Sequence, residues 1–125
     1  MKPTLTLLTT LLLAPLAVLH AADAASPEFV DVFVSGQDGY PNYRIPSLVV
    51  TSKGTLLALC EGRTKNDDHA ANDLVLKRSG DGGRSWSKLQ LVRDEGEATC
   101  NDPVMTVLDD GRVLLFFAQI GRAHV

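Results

Sequence analysis

Two arginines and an adjacent pair of aspartates carry most of the chemistry this sequence could perform. Arg44 stands immediately before Ile45-Pro46, and Arg63 closes the segment Cys60-Glu61-Gly62-Arg63. Asp67-Asp68 follows in a polar loop with Asn66 and His69. An arginine's planar fork takes a carboxylate through two parallel hydrogen bonds and stays charged at any working pH. An aspartate in an open loop can give and take a proton as a general acid and base. Asn101-Asp102-Pro103 adds another polar step, where Asp102 either contacts a ligand or caps the turn ahead of Pro103. The plainer readings are a surface arginine in an ion pair and an acidic loop that is simply solvated. Three scattered histidines and two cysteines make no metal-ligand pattern, so neither a metal nor another cofactor is expected.

These side chains must be positioned by strands, because no segment sustains a helical period. The run 29–34 alternates Phe and Asp against Val and reads as a first strand. The runs 45–51 and 55–60 are β-prone and joined by the short turn Ser52-Lys53-Gly54. Runs 73–79 and 89–93 follow, and 104–108 with 112–117 open another hairpin around Asp109-Asp110-Gly111. Four antiparallel strands and the start of a further hairpin have the rhythm of propeller blades. One such blade cannot bury both of its faces without neighbours.

The turn between 73–79 and 89–93 is Ser79-Gly80-Asp81-Gly82-Gly83-Arg84-Ser85-Trp86. It matches the Asp box, S-x-D-x-G-x-x-W, a hairpin turn that recurs in β-propellers. Asp81 is expected to accept backbone N–H bonds of its own turn, and Gly83 to tolerate the conformation this fixes. Trp86 is expected to bury its indole between this blade and the next. Ser79, Asp81, Gly83 and Trp86 are therefore read as a folding device, not as a catalytic or metal site.

Tyr43-Arg44-Ile45-Pro46 followed by Glu61-Gly62-Arg63, Asp67-Asp68 and the Asp box resembles the start of the bacterial exo-α-sialidase family. The resemblance covers nearly all of residues 40–119 and implies an all-β, six-bladed β-propeller. This chain would hold a signal peptide, the first blade and the start of the second. The likeness implies that Arg44 is one of three arginines that clamp the carboxylate of sialic acid. It implies that Arg63 contacts the sugar near its O4 side and that Asp102 contacts substrate. It places the general acid/base at Asp68, which lies five residues after Arg63 and five before Asp73, with Asp67 as the alternative. The family's tyrosine nucleophile, with its glutamate partner, comes from later blades, so the resemblance implies a retaining hydrolase whose nucleophile this piece lacks. Sialylated glycoconjugates are the implied partners. Two other readings stand beside it: a non-catalytic Asp-box propeller that binds glycan or protein, and a different Asp-box glycoside hydrolase with paired carboxylates.

Charge and composition narrow the field further. A net charge of −3 with no basic run gives no footprint for nucleic acid. Residues 1–24 read as a signal peptide: Lys2, an apolar stretch over 5–19, then small residues with Ala22-x-Ala24 as a cleavage signal. The stretch is shorter than the ~20 residues of a membrane span, so no stable anchor is expected and the product is periplasmic or extracellular. Export gives Cys60 and Cys100 an oxidising setting, and either a bridge between them or two buried thiols is expected. Residues 25–119 are read as propeller. Residues 120–125 are what ATC GGA AGA GCA CAC GTC encodes, a string found in a common sequencing adapter, so the native sequence is expected to depart after Gln119.

Overall fold

The computed structural model describes residues 28–120. The expected leader over 1–24 and tail positions 121–125 lie outside the described residues. Six strands follow one another: β1 (Asn42–Val50), β2 (Leu56–Arg63), β3 (Asn72–Ser79), β4 (Gln90–Arg93), β5 (Thr99–Val107) and β6 (Val113–Ile120). Strands β1 to β4 form one antiparallel sheet in chain order, and β5 pairs with β6 in a second. The fold is all-β, as the turn chemistry and period-two patterning predict. No helix of the described residues is long and apolar enough to cross a membrane.

Alternation along β2 and β3 assigns each residue to one of two faces. Leu57, Leu59, Leu74 and Leu76 project toward the second sheet, where they pack with Cys100 and Met105 and, at the edge, Val49, Val113, Leu115 and Phe117. Glu61 and Arg63 continue the same face of β2 and are buried with it. The opposite face carries Cys60, Gly62, Val75 and Lys77 and is covered by the chain leading into β1. There the Phe33 ring sits 5.3 Å from that of Tyr43, Lys77 Nζ lies 5.5 Å from the Phe33 centroid, and Lys77 pairs with Asp38 at 2.7 Å. Gly62 allows this covering, because a Cβ there would stand 2.9 Å from the Tyr40 ring.

This arrangement corrects two expectations, on the run 29–34 and on Trp86, and decides between the two readings of the cysteines. The run 29–34 is not a strand: it crosses the face of the first sheet, with no ladder partner, and Phe29 is exposed. β-Propensity needs an edge to pair with, and this segment is held by side chains instead. The Cys60–Cys100 bridge is absent; both thiols are free and buried. Cys60 points to the covered face of the first sheet, while Cys100 belongs to the cluster on the other, so the sheet itself stands between them. Trp86 is half-buried and lies beside Glu28, Val30 and Val32 on the covered side, not between the two sheets.

The second sheet repeats the first in detail. Each residue of β5 lies 57 positions after its counterpart in β1, from Asn42 and Thr99 to Val50 and Val107. Both strands carry a bulge at the same place, Arg44/Ser47 and Asn101/Val104. In both, a residue with φ of 53° precedes a proline: Ile45 before Pro46, and Asp102 before Pro103. The turns match too, with Gly54 N–H bonding Thr51 C=O and Gly111 N–H bonding Leu108 C=O. The two units are therefore tandem copies stacked face to face. Leu48, Val50 and Leu91 at one end, and Val104 and Phe116 at the other, remain exposed.

Candidate active site

The bulge in β1 is where the site begins. Ile45 is β-branched yet sits at φ of 53°, a conformation that costs on the order of 1–3 kcal/mol. This local turn breaks the pairing register just after Arg44, whose side chain is left half-exposed with Nη1 3.9 Å from Asp68 Oδ1. Strand β2 ends beside it and delivers Arg63, which is almost wholly buried. Its Nη1 donates to Asp68 Oδ1 at 2.6 Å, and its Nε donates to Glu61 Oε2 at 2.6 Å, with Nη2 against the same carboxylate. Both arginines thus address one oxygen of Asp68. Its Oδ2 is unengaged among the described residues.

The loop that carries Asp68 is pinned from below by β3 and β5. Asn101 Nδ2 donates to the Asp68 carbonyl at 2.8 Å, and Asn101 Oδ1 accepts from Thr99 Oγ1 and Asn72 Nδ2. Asn72 Nδ2 also reaches the Asp67 carbonyl at 3.3 Å. Asp67 uses its carboxylate locally, accepting the His69 N–H at 2.9 Å to close its own turn. Asp102 enters through its backbone: its N–H donates to Glu61 Oε1 at 2.8 Å, while its side chain is exposed.

The electrostatics follow from these contacts. The hydrogen bond from Arg63, then its charge and that of Arg44, hold the Asp68 carboxyl below the usual carboxylate range. Burial works to lower the Arg63 pKa, but its bonds to Asp68 and Glu61 prevail and raise it, so the guanidinium stays charged. Tyr43 is pushed up to about 12, chiefly by burial, and its hydroxyl donates to the Gln37 carbonyl. Tyr40 is raised further by burial and donates to Asp73 Oδ2.

The Asp box lies at the other end of the sheet, seven strand steps along β3, or about 23 Å from Asn72. Asp81 accepts from Ser79 Oγ, from the Ser85 N–H and from Ser85 Oγ. Gly83 N–H donates to Ser79 Oγ, and Trp86 Nε1 to the Gly83 carbonyl. The turn is self-contained, with Gly82 and Gly83 both at positive φ.

No family model matches the chain. Among curated proteins it is 49% identical over 63 residues to a sialidase of Micromonospora viridifaciens, covering 50% of this chain and 10% of that protein. It is 31% identical over 114 residues to an exo-alpha-sialidase of Aspergillus fumigatus, covering 86% of this chain and 27% of that one. A sialidase of Bacteroides fragilis is 41% identical over 70 residues, or 54% of this chain and 13% of its own length. The chain is a relative of the sialidases. It spans about a quarter or less of the length of these relatives.

For a sialidase relative, the structure brings Arg44, Arg63 and Asp68 together at one sheet end and sets Asp67 apart as a turn-former. Asp102 joins them through its main chain. The cluster also takes in Glu61 and Asn101, which stand inside the motifs quoted above, and Asn72 and Thr99, which no motif marks. One signal was readable: Glu61 and Arg63 are charged residues at i and i+2, in phase with Leu57 and Leu59 on a core face. Two opposite charges buried side by side must satisfy each other.

Proposed function

We propose that the complete protein is an exported exo-α-sialidase that removes terminal sialic acids from glycoconjugates with retention. The convergence of Arg44, Arg63 and Asp68 at one sheet end carries this reading. In this proposal Arg44 receives the substrate carboxylate as part of a clamp completed by later segments. Asp68 donates a proton to the departing glycosidic oxygen and then activates water. Asp102 lines the sugar, while Arg63, buried with its nitrogens on Glu61 and Asp68, serves by holding Asp68 and not as the direct substrate contact expected from the resemblance. The fold of the whole would be a six-bladed propeller, with the 57-residue repeat as its blade unit.

In the unliganded site Asp68 is an ionised partner of arginine, whereas a general acid must carry a proton. Substrate binding would reconcile the two. An anionic carboxylate arriving at Arg44 takes up that positive charge, and the sugar displaces water from Asp68; both changes raise its pKa. The proton would then reside on Oδ2. Tyr40 and Tyr43 are poor nucleophile candidates, since each hydroxyl is committed to a neighbour and its pKa is raised. The nucleophile would come from later blades, so residues 28–120 alone would be inactive.

The test is release of free sialic acid from a sialylated glycoprotein by the complete protein, compared with Arg44→Ala. Release that falls sharply in the variant supports the reading. Glycan binding without any release would favour a non-catalytic propeller, and cleavage of neutral glycans only would favour another hydrolase.

A further inference from the structure

Glu61 is fully buried and joins two strands that no sequence motif links. Its Oε2 receives Arg63, whose far nitrogen holds Asp68, and its Oε1 receives the main-chain N–H of Asp102 at 2.8 Å. That second bond falls on the residue held at φ of 53° in the bulge of β5. One carboxylate thus fixes the guanidinium on one side and the strained backbone of the next unit on the other.

We propose that Glu61 is a positioning residue. It orients Arg63 toward Asp68, balances the Arg63 charge so that Asp68 can take up a proton, and sets the main chain that presents Asp102. This rests on the reading of Asp68 as the general acid. The groups facing Asp68 are Arg44 from β1, Arg63 and, behind it, Glu61 from β2, Asp67 and His69 from its own loop, and the Asn101-Asp102 segment of β5. With Glu61 neutralised, Arg63 has Asp68 as its sole anionic partner in this cluster. Asp68 is then held more firmly as a carboxylate and gives up its proton at lower pH.

The experiment uses the complete enzyme and a natural alkyl sialoside, and reads the alkaline limb of kcat against pH. Glu61→Gln keeps the shape but removes the charge, and should move that limb down by about one pH unit. Arg63→Lys keeps a charge near Glu61 but loses the fork that reaches Asp68, and should move it up. A purely structural role lowers the active fraction at every pH and moves neither limb. An unmoved limb in folded Glu61→Gln overturns the proposal. Where Glu61→Gln does not fold, Glu61→Asp is read in its place: it keeps the charge but draws the carboxylate away from Arg63, so the limb should move down by less, and an unmoved limb overturns the proposal. Asp68→Ala separates the two levels: if it keeps the wild-type limb, the acid assignment fails; if it abolishes the limb while both variants leave it in place, only the role of Glu61 fails.

Discussion

If Asp68 is the general acid proposed above, removing its carboxylate from the complete protein should separate sialoside substrates by leaving group, and removing Asp67 should not. The two aspartates are adjacent, yet their surroundings differ. Asp68 Oδ1 is shared by Arg63 at 2.6 Å and Arg44 at 3.9 Å, with Oδ2 unengaged among the described residues. The Asp67 carboxylate instead closes a turn through the His69 N–H. A general acid contributes about 10²–10⁴-fold where protonation of the departing alcohol limits the rate. Asp68→Ala should lose that factor in kcat/KM on a natural sialoside and far less on an activated aryl sialoside, whose leaving group needs little protonation. Asp67→Ala should cost at most about 1 kcal/mol of loop stability, the worth of one exposed hydrogen bond, and leave the ratio of the two substrates unchanged. The comparison uses kcat/KM because loss of the base role slows the later hydrolysis step for both substrates. Equal loss on both substrates in Asp68→Ala would refute the assignment, and a large natural-substrate defect confined to Asp67→Ala would move the acid by one residue.

Other consequences can be measured on the same protein. Arg44→Lys should weaken substrate binding by about 1–3 kcal/mol, because the charge remains but the bidentate fork is lost; an unchanged KM and kcat/KM would remove Arg44 from the carboxylate site. Titration of the denatured, unreduced protein should find Cys60 and Cys100 both as free thiols, and their absence would contradict the placement on opposite sheet faces. Asp81 is held far below the usual carboxylate range by bonds from Ser85 and Ser79. A depressed folded pKa adds stability that is present above the unfolded value of about 4 and lost as pH falls through the folded one. Asp81→Asn should therefore lose less melting temperature than wild type between pH 7 and pH 3; an identical loss would mean the Asp-box carboxylate does not carry that linkage.

The strain at the two bulges bears on how such a site is built. Ile45 and Asp102 occupy equivalent positions 57 residues apart, and each breaks strand pairing just where a side chain must leave the ladder. The fold repeats the backbone device and varies the residues set on it. Arg44 occupies it in the first unit, and Asn101 in the second. The first reaches outward to the Asp68 carboxylate and the second inward to its carbonyl.

The sequence by itself determined what is local. Strands β1 to β6 were legible because alternation and turn residues act within a few positions, although β5 begins five residues earlier than its apolar run, at Thr99. The Asp box was legible because all its bonds close within one turn. Arg44, Arg63 and Asp68 were singled out by the resemblance to a family's motifs, and the structure brings their side chains to one sheet end. Tertiary structure decided what depends on faces and partners. Whether 29–34 forms a strand depended on a free edge, and it lies across a face instead. Whether two cysteines bridge depended on strand parity, which sets Cys60 and Cys100 on opposite sides of one sheet. Trp86 found its cover in the segment preceding β1 for the same reason. The bonds among Glu61, Arg63, Asn72, Thr99, Asn101 and Asp102 join residues up to 41 positions apart. Apart from the Glu61–Arg63 pair, which its spacing on a core face announces, no local pattern encodes them, because burial, which arises only when the two sheets stack, is what compels those polar groups to find one another.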